Sequence, residues 1–264
     1  MKKLPFTRSV VSSFVRALFF PTKIDQSFLP FRQLLRTPVI FDLISWTLQV
    51  KDLALLATIK SSKTVSDEYI EKVYDYNAGV TIKKLITSTR RAEHFYRILC
   101  LPFSCPEKER LLIIGPRNIQ ELFIAWLYGF SWKNILGIDL YSTNKKIQVM
   151  NMEDMSFDEN TFDAVAMANT LSYAKDTRTA IAEIARVMKP GARLSFSATY
   201  DPNDLWPEDS RSASEIKQIL HDNNLNIYYF ESFDKVNSQG RLQTSHSFGA
   251  TKALLIPLFD QMLL

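Results

Sequence analysis

The sequence predicts an α/β protein, in which a mainly parallel sheet with helices between its strands follows a helical N-terminal extension. Apolar runs of strand length alternate with helix-spaced segments between Leu111 and Phe196. Each run ends at a glycine, an acid or a small polar residue. This alternation is typical of parallel sheets whose ligand-binding loops follow the carboxyl ends of the strands.

Size and composition narrow the classes of protein that fit. The 264 residues fit one large domain, or one α/β domain with a helical extension. A hydrophobic share of 46% and a charged share of 23% are ordinary for a globular protein with a full core. The net charge of +4 is small, so we expect no nucleic-acid partner. Cys100 and Cys105 lack the companion ligands of a zinc site, which predicts reduced thiols, no metal and a cytoplasmic protein.

The first twenty residues superficially resemble a secretory leader, but Arg8 and Arg16 interrupt their apolar region. Residues 7–20 show apolar side chains at helical spacing with basic and polar side chains between them. Two interpretations stay open: a helix that docks on the protein body, or a basic amphipathic helix in weak contact with a membrane surface. Val39–Ile59 carries too many charges to span a bilayer.

The chain divides at a short polar linker near Cys105. We expect residues 1–105 to be a helical N-terminal extension and residues 106–264 to be the α/β domain. Within the extension, helical spacing predicts helices at about Thr37–Ile59, Val65–Tyr76 and Ile82–Leu99.

In the second part, the intervals between strands predict right-handed crossovers through helices. Lys189-Pro190-Gly191 is expected to be a tight turn. We predict helices at Ile119–Gly129, about Asp176–Met188, and from Ser214 to about Asn223. The predicted strands are Leu111–Ile114, Ile135–Ile138, Ile147–Met150, Phe162–Met167, Arg193–Thr199, Leu225–Phe230 and roughly Thr251–Leu258.

Three segments carry a resemblance to a known family: GIDL at 137–140, NMEDMSFDENTFDAV at 151–165 and EIARVMKPGARL at 183–194. Together and in this order they resemble the class I S-adenosylmethionine-dependent methyltransferases, in particular the type 11 branch. The resemblance extends from about Arg110 to the C-terminus. It implies a Rossmann-like seven-stranded sheet of order 3-2-1-4-5-7-6 with strand seven antiparallel, and S-adenosyl-L-methionine as cofactor.

Candidate cofactor-binding residues follow the predicted strands. A carboxylate at the end of strand two can accept hydrogen bonds from both ribose hydroxyls of an adenosine, which makes Asp139 the first candidate. The family more often has Asp where this chain has Asn151, although an amide oxygen can still accept from an amine. The resemblance implies that the adenine ring and the departing methyl group lie near Leu140, Asn151, Met152, Ala168 and Asn169.

The first loop departs from the D-x-G-x-G-x-G pattern of the family. Only Gly115 matches, because Arg117 and Ile119 occupy the positions of the second and third glycines. Two explanations stay open. Either Pro116 fixes a variant turn in which Arg117 or Glu121 replaces the lost contacts, or the fold persists as a scaffold without cofactor.

The function predicted is methyl transfer from S-adenosyl-L-methionine to a small-molecule or cell-surface-related acceptor. The alternatives are a non-catalytic protein of this fold, or a peripheral membrane protein held by residues 7–20. No side chain is marked as a general base. The residues that could serve as one are His94, Tyr173, Tyr200, Asp201 and His246.

Overall fold

The computed structural model describes residues 29–56, 91–102, 104–116, 118–142, 144–200, 212–236, 240 and 242–254. The helices predicted for residues 7–20 and 65–76 lie outside these ranges, as do residues 82–90 of the third helix and the membrane contact expected of residues 7–20. Within the described part of the chain, no helix is long and apolar enough to cross a membrane. Cys100 and Cys105 are free thiols.

The described N-terminal helices are α1 (Leu29–Leu35), α2 (Pro38–Leu56) and α3 (Arg91–Leu99). Pro38 occupies the first turn of α2, as predicted, because proline lacks the N–H that a first turn leaves unpaired. The sequence analysis did not predict α1. Its Leu35 is buried against the same core as Phe41 and Ile44 of α2.

Seven strands form one sheet in the order β3-β2-β1-β4-β5-β7-β6. Strand β7 is antiparallel to both of its neighbours, whereas the other pairs are parallel. The predicted α/β class and strand order are therefore confirmed. The strands are β1 (Leu111–Ile114), β2 (Ile135–Asp139), β3 (Ile147–Val149), β4 (Phe162–Met167), β5 (Met188–Tyr200), β6 (Leu225–Val236) and β7 (Leu242–Lys252).

Two apolar cores flank the sheet. One lies under α4 (Ile119–Leu127), and the other lies under α5 (Thr177–Val187) and α6 (Ala213–Asp222). All four residues of β1 are buried, as expected of a central parallel strand. Side-chain caps set where these helices begin: Asn118 accepts from the Gln120 N–H before α4, and Ser212 forms a capping box with Glu215 before α6.

The prediction for the last strand was wrong. It placed strand seven at roughly Thr251–Leu258, but β7 runs over Leu242–Lys252 and shares only its last two residues with that range. The cause is composition, because Ser245, Ser247 and Gly249 break the apolar run although the strand is buried between β5 and β6. A side chain at Gly249 would lie 2.6 Å from the Ile98 side chain, so this position requires a small residue.

Two connections also differ from prediction. The described residues of the link from β2 to β3, 140–142 and 144–146, contain no helix, and a connection this short suits a strand β3 of only three residues. Lys146 fastens this link by donating to the carbonyls of Trp132 at 2.7 Å and Ile135 at 2.8 Å. The turn predicted at 189–191 lies within β5 instead, where Gly191 has φ +77° and the pairing with β4 is irregular.

His246 predicts a pH dependence of stability. Burial of the ring, with a smaller contribution from the Lys217 charge, lowers the pKa of His246 from its ordinary value of 6.5. The unfolded chain therefore binds the proton first as pH falls, so the free energy of unfolding decreases from pH 6.5 down toward the folded-state pKa. Urea titrations at several pH values should show this decrease, and His246→Gln should flatten it. The control His221→Gln removes an 84% exposed ring and should leave the slope unchanged.

Candidate active site

The loops after β1, β2, β3 and β4 meet at one edge of the sheet. Ile114, the last residue of β1, is in register with Ile138 of β2 and with Met167 of β4. Parallel strands present their carboxyl ends at a common edge, where ligands of open α/β sheets bind. Most of the predicted cofactor-binding residues are therefore brought to one edge.

Gly115 begins the first loop in a conformation that suits glycine. Its φ is +67°, and its N–H donates to the Ile138 carbonyl at 2.8 Å. A Cβ at this position would lie 2.3 Å from Cγ2 and 2.4 Å from Oγ1 of Thr170, in the loop after β4. The first loop and the fourth-strand loop thus touch across the edge.

The rest of the first loop turns toward the core. The Pro116 ring lies 2.8 Å from where a Cβ on Gly137 of β2 would be, so it packs on the sheet. Ile119, at the position of the third glycine of the family, is a buried residue of the first turn of α4. Arg117 lies outside the described residues.

Glu121 lies in the first turn of α4 and is only 1% exposed. Its backbone carbonyl accepts from the Tyr96 hydroxyl at 3.0 Å, which ties α4 to α3. A carboxylate in the first turn is favoured by the partial positive charge of the helix N-terminus. Its predicted contact with the ammonium group of the cofactor stays a prediction.

Asp139 ends β2 at the edge, where its side chain is oriented by its neighbour. Oδ1 accepts from the Leu140 N–H at 2.7 Å, and the Asp139 carbonyl accepts from the Met150 N–H at 2.9 Å. These bonds orient the half-buried carboxylate and bring the start of the loop after β3 beside it. Leu140 is also half-buried, so part of its side chain remains at the surface.

The loop after β3 holds the two residues predicted for the adenine. Asn151 Oδ1 accepts from the Glu153 N–H at 3.0 Å, and its carbonyl accepts from the Asp154 N–H at 3.2 Å. An amide oxygen has two lone pairs, so Asn151 keeps capacity for a second donor. Met152 is 8% exposed and belongs to the core under α5, which favours packing over ring stacking as its main role.

The loop after β4 contains a contact that the sequence analysis missed. Ser197 of β5 accepts from the Asn169 N–H at 3.0 Å and donates to Asn169 Oδ1 at 2.6 Å. Asn169 has φ +53°, which asparagine tolerates better than most residues. Ala168 is buried beside it. No signal in the sequence pairs two residues this far apart, because only the register of β4 and β5 brings them together.

Glu183 and Arg186, from the E-x-x-R segment, have a structural role. Arg186 donates to the carbonyls of Met155 and Phe157 at 2.8 Å each, and to Glu183 at 2.7 Å. Glu183 in turn accepts from the Met155 N–H at 2.8 Å, and the hydrogen bond from Arg186 lowers the pKa of its carboxyl. This pair fastens the loop that follows Asn151 onto α5.

Three of the candidate general bases, His94, Tyr173 and His246, have described side chains, and they lie on different elements. His94 of α3 lies 3.6 Å from the Glu231 carboxylate, and His246 is hydrogen-bonded to Ser232 at 3.0 Å. Tyr173 is half-buried in a 3₁₀ turn. Asp201 and the side chain of Tyr200 lie outside the described residues. Among the described residues, no group of three or more acidic, histidine or cysteine side chains could hold a metal ion.

Comparison with known proteins supports the resemblance found in the sequence. Residues 122–196 match the sequence model of a family described as a methyltransferase domain. This match covers α4 through most of β5 and includes the segments after β2, β3 and β4. This part of the chain is similar to the methyltransferase domain family, and its strand order is the one that the resemblance to class I S-adenosylmethionine-dependent methyltransferases implies. The resemblance found in the sequence is confirmed.

Solved structures of methyltransferases share this fold. A Haemonchus contortus phosphoethanolamine N-methyltransferase 2, in complex with phosphomonomethylethanolamine and S-adenosylhomocysteine, has a TM-score of 0.53 and 14% identity over 72% of this chain and 61% of its own. A geranyl diphosphate C-methyltransferase from Streptomyces coelicolor A3(2), in complex with Mg²⁺, geranyl diphosphate and S-adenosyl-L-homocysteine, has a TM-score of 0.52 and 15% identity over 73% and 85%. At these identities the likeness establishes the fold alone. A search of curated protein sequences found no significant match.

Proposed function

We propose that this methyltransferase-fold protein binds S-adenosyl-L-methionine at the edge described above and transfers its methyl group to a small-molecule acceptor. The observation that carries the proposal is the contact of Gly115 with Thr170, next to Asp139 at the end of the neighbouring strand. Gly115 has no side chain, so the two loops can approach each other beside the carboxylate of Asp139. This arrangement at the strand ends fits a nucleoside-bearing ligand.

Each residue at the edge has a proposed task. Asp139 accepts from the ribose hydroxyls, while Leu140 and Asn151 border the adenine. Gly115 and Glu121 face the amino-acid part, where the buried carboxylate is suited to an ammonium group. The bound cofactor supplies a methyl group on a sulfonium sulfur, already activated for displacement. The protein therefore contributes chiefly by holding acceptor and donor in line.

The proposal includes the helical part of the chain. Residues 1–105 are proposed to be an extension that shapes the acceptor site over the domain formed by residues 106–264. Helix α3 supports this arrangement because it packs against β4 and β5, the two strands next to the loop of Ala168 and Asn169. A small-molecule acceptor is further favoured by the ligands named for the two methyltransferases of the same fold.

Replacement of Asp139 by alanine tests the proposed site. Asp139→Ala should weaken S-adenosylhomocysteine binding by about 1.5–3 kcal/mol, because hydrogen bonds to a charged group are lost. Isothermal titration calorimetry measures this change directly. The matched control is Asp154→Asn, which removes an exposed carboxylate from the loop after β3. Equal affinity of Asp139→Ala and the parent would mean that Asp139 does not hold the ribose.

One observation favours a non-catalytic role as the second candidate. The first loop packs Pro116 and Ile119 into the core, where the glycines of the family let the backbone approach a ligand. A thermal-shift titration with S-adenosylhomocysteine separates the two functions. Ligand at one hundred times its dissociation constant adds about 2.7 kcal/mol to the free energy of unfolding. Absence of any shift at saturating concentrations would favour the non-catalytic protein.

A further inference from the structure

The two hydrogen bonds between Ser197 and Asn169 determine how the Asn169 amide is oriented. The Ser197 hydroxyl has one proton, and it accepts from the Asn169 N–H at 3.0 Å. Its proton is therefore available for Asn169 Oδ1 at 2.6 Å, so the oxygen of the amide faces β5. The alternative amide orientation would leave the proton of this hydroxyl without its acceptor on Asn169.

The amide nitrogen of Asn169 consequently faces away from Ser197. This nitrogen donates to no group in the described part of the chain. It is also not among the buried polar atoms that lack a partner, so it is accessible to solvent. Asn169 as a whole is half-buried. Its two N–H donors are thus presented to solvent at the edge.

Asn169 lies between the first loop and β5. The next residue, Thr170, touches Gly115, while Ser197 belongs to the strand beside β4. The backbone of Asn169 is in the left-handed region, which is held by the tertiary contacts around it. Ser197 supplies two of these contacts and is 2% exposed, so its own position is fixed by packing.

We propose that Ser197 is a positioning residue that holds the Asn169 amide nitrogen toward the site of the transferred methyl group, where it favours an anionic oxygen acceptor such as a carboxylate or phenolate over a protonated amine. This inference rests on the proposed function. In such a transfer, a lone pair of the acceptor oxygen forms the new O–C bond. The electrons of the broken S–C bond stay on sulfur, so the oxygen anion and the sulfonium both become neutral.

Sinefungin provides a probe that needs no acceptor. It carries a C–NH₃⁺ group where the cofactor has S⁺–CH₃, whereas S-adenosylhomocysteine has neither charge nor methyl group there. The ratio of their dissociation constants therefore reports the polarity at the methyl position, and effects common to both ligands cancel. Asn169→Asp replaces the two donors by an acceptor of the same shape, and aspartate also tolerates the left-handed conformation. We expect this variant to strengthen sinefungin binding relative to S-adenosylhomocysteine binding by about tenfold, which corresponds to about 1.4 kcal/mol.

Ser197 variants separate positioning from a purely structural role. Ser197→Ala frees the amide to turn its oxygen toward the ligand, so sinefungin binding should strengthen relative to S-adenosylhomocysteine binding by roughly threefold. Ser197→Thr keeps the hydroxyl and should retain the parent ratio. Ser195→Ala is the matched control, because Ser195 is on the same strand and face, fully buried, and its hydroxyl has no partner among the described residues. It should leave the ratio unchanged.

Three outcomes decide the proposal when the parent and variants are titrated by calorimetry. The expected shifts with Asn169→Asp and Ser197→Ala, absent with Ser195→Ala, would support it. An unchanged ratio in Asn169→Asp, with both ligands still bound, would overturn this inference and leave the proposed function intact. If the parent bound neither ligand, the proposed function would fail and the inference with it.

Discussion

Gly115→Ala is expected to lower both the free energy of unfolding and the affinity for S-adenosylhomocysteine. The added Cβ would lie 2.3–2.8 Å from three atoms of the Thr170 side chain, a separation that folded proteins do not tolerate. The backbone φ of +67° adds strain for any residue with a Cβ. Strain and overpacking together should cost about 2–4 kcal/mol, measured as a shift of the urea midpoint at unchanged slope.

A matched glycine separates the two contributions. Gly240 has φ +76°, but a Cβ there would meet no atom within 4 Å. Gly240→Ala should therefore show the conformational strain alone, about 1–2 kcal/mol. Thr170→Ala in the Gly115→Ala background should recover part of the difference. Equal destabilisation by the two glycine variants would contradict a close contact between the first and fourth loops.

The sequence predicted the sheet well because its central strands follow the simplest rule of parallel sheets. Burial on both faces requires continuous apolar runs, and LLII of β1 and AVAM at the end of β4 have this pattern. Because these strands are parallel, the loops that follow them all lie at their carboxyl ends, on the same edge of the sheet. The position of Asp139 at the edge follows from the direction of the strands alone.

Other features depend on tertiary contacts that leave no local pattern. Strand β7 contains serines and a glycine that are buried between β5 and β6, so its sequence lacks both an apolar run and regular alternation. Ser197 and Asn169 meet only because β4 and β5 are in register. The E-x-x-R segment resembles a family pattern, but no local pattern indicates that its arginine donates to the carbonyls of Met155 and Phe157.

The attachment of the helical part to the sheet shows the same limit. Arg36, which lies between α1 and α2, donates to the Leu127 carbonyl at 2.7 Å and lies over the Tyr128 ring at 4.1 Å. These contacts attach the N-terminal helices to the C-terminal end of α4. Tyr228 of β6 donates to the Ile98 carbonyl of α3 at 3.0 Å, and burial raises the pKa of its hydroxyl. Composition marks neither contact. The attachment also includes Arg193 of β5, which donates to the carbonyl of Leu99 at the end of α3 and pairs with Glu109 shortly before β1.

Arg193→Ala is expected to be the most destabilising charge removal in the sheet. Arg193 is 5% exposed, donates to the Leu99 carbonyl at 2.5 Å and forms an ion pair with Glu109. Its loss leaves a largely buried carboxylate and a helix end unpaired, which should cost about 3–5 kcal/mol in the free energy of unfolding.

The control and a double variant determine whether this cost arises from the unpaired charge. Arg178→Ala removes a 56% exposed guanidinium that pairs with Asp222, and it should change the free energy of unfolding by at most about 1 kcal/mol. Adding Glu109→Gln to Arg193→Ala should restore part of the stability, because no charge is then left unpaired. If both arginine variants unfolded at the same urea concentration, the contacts of Arg193 with Leu99 and Glu109 would not hold α3 to β5. In that case the packing of Tyr96, Ile98 and Leu99, which are all buried in α3, would have to account for the attachment.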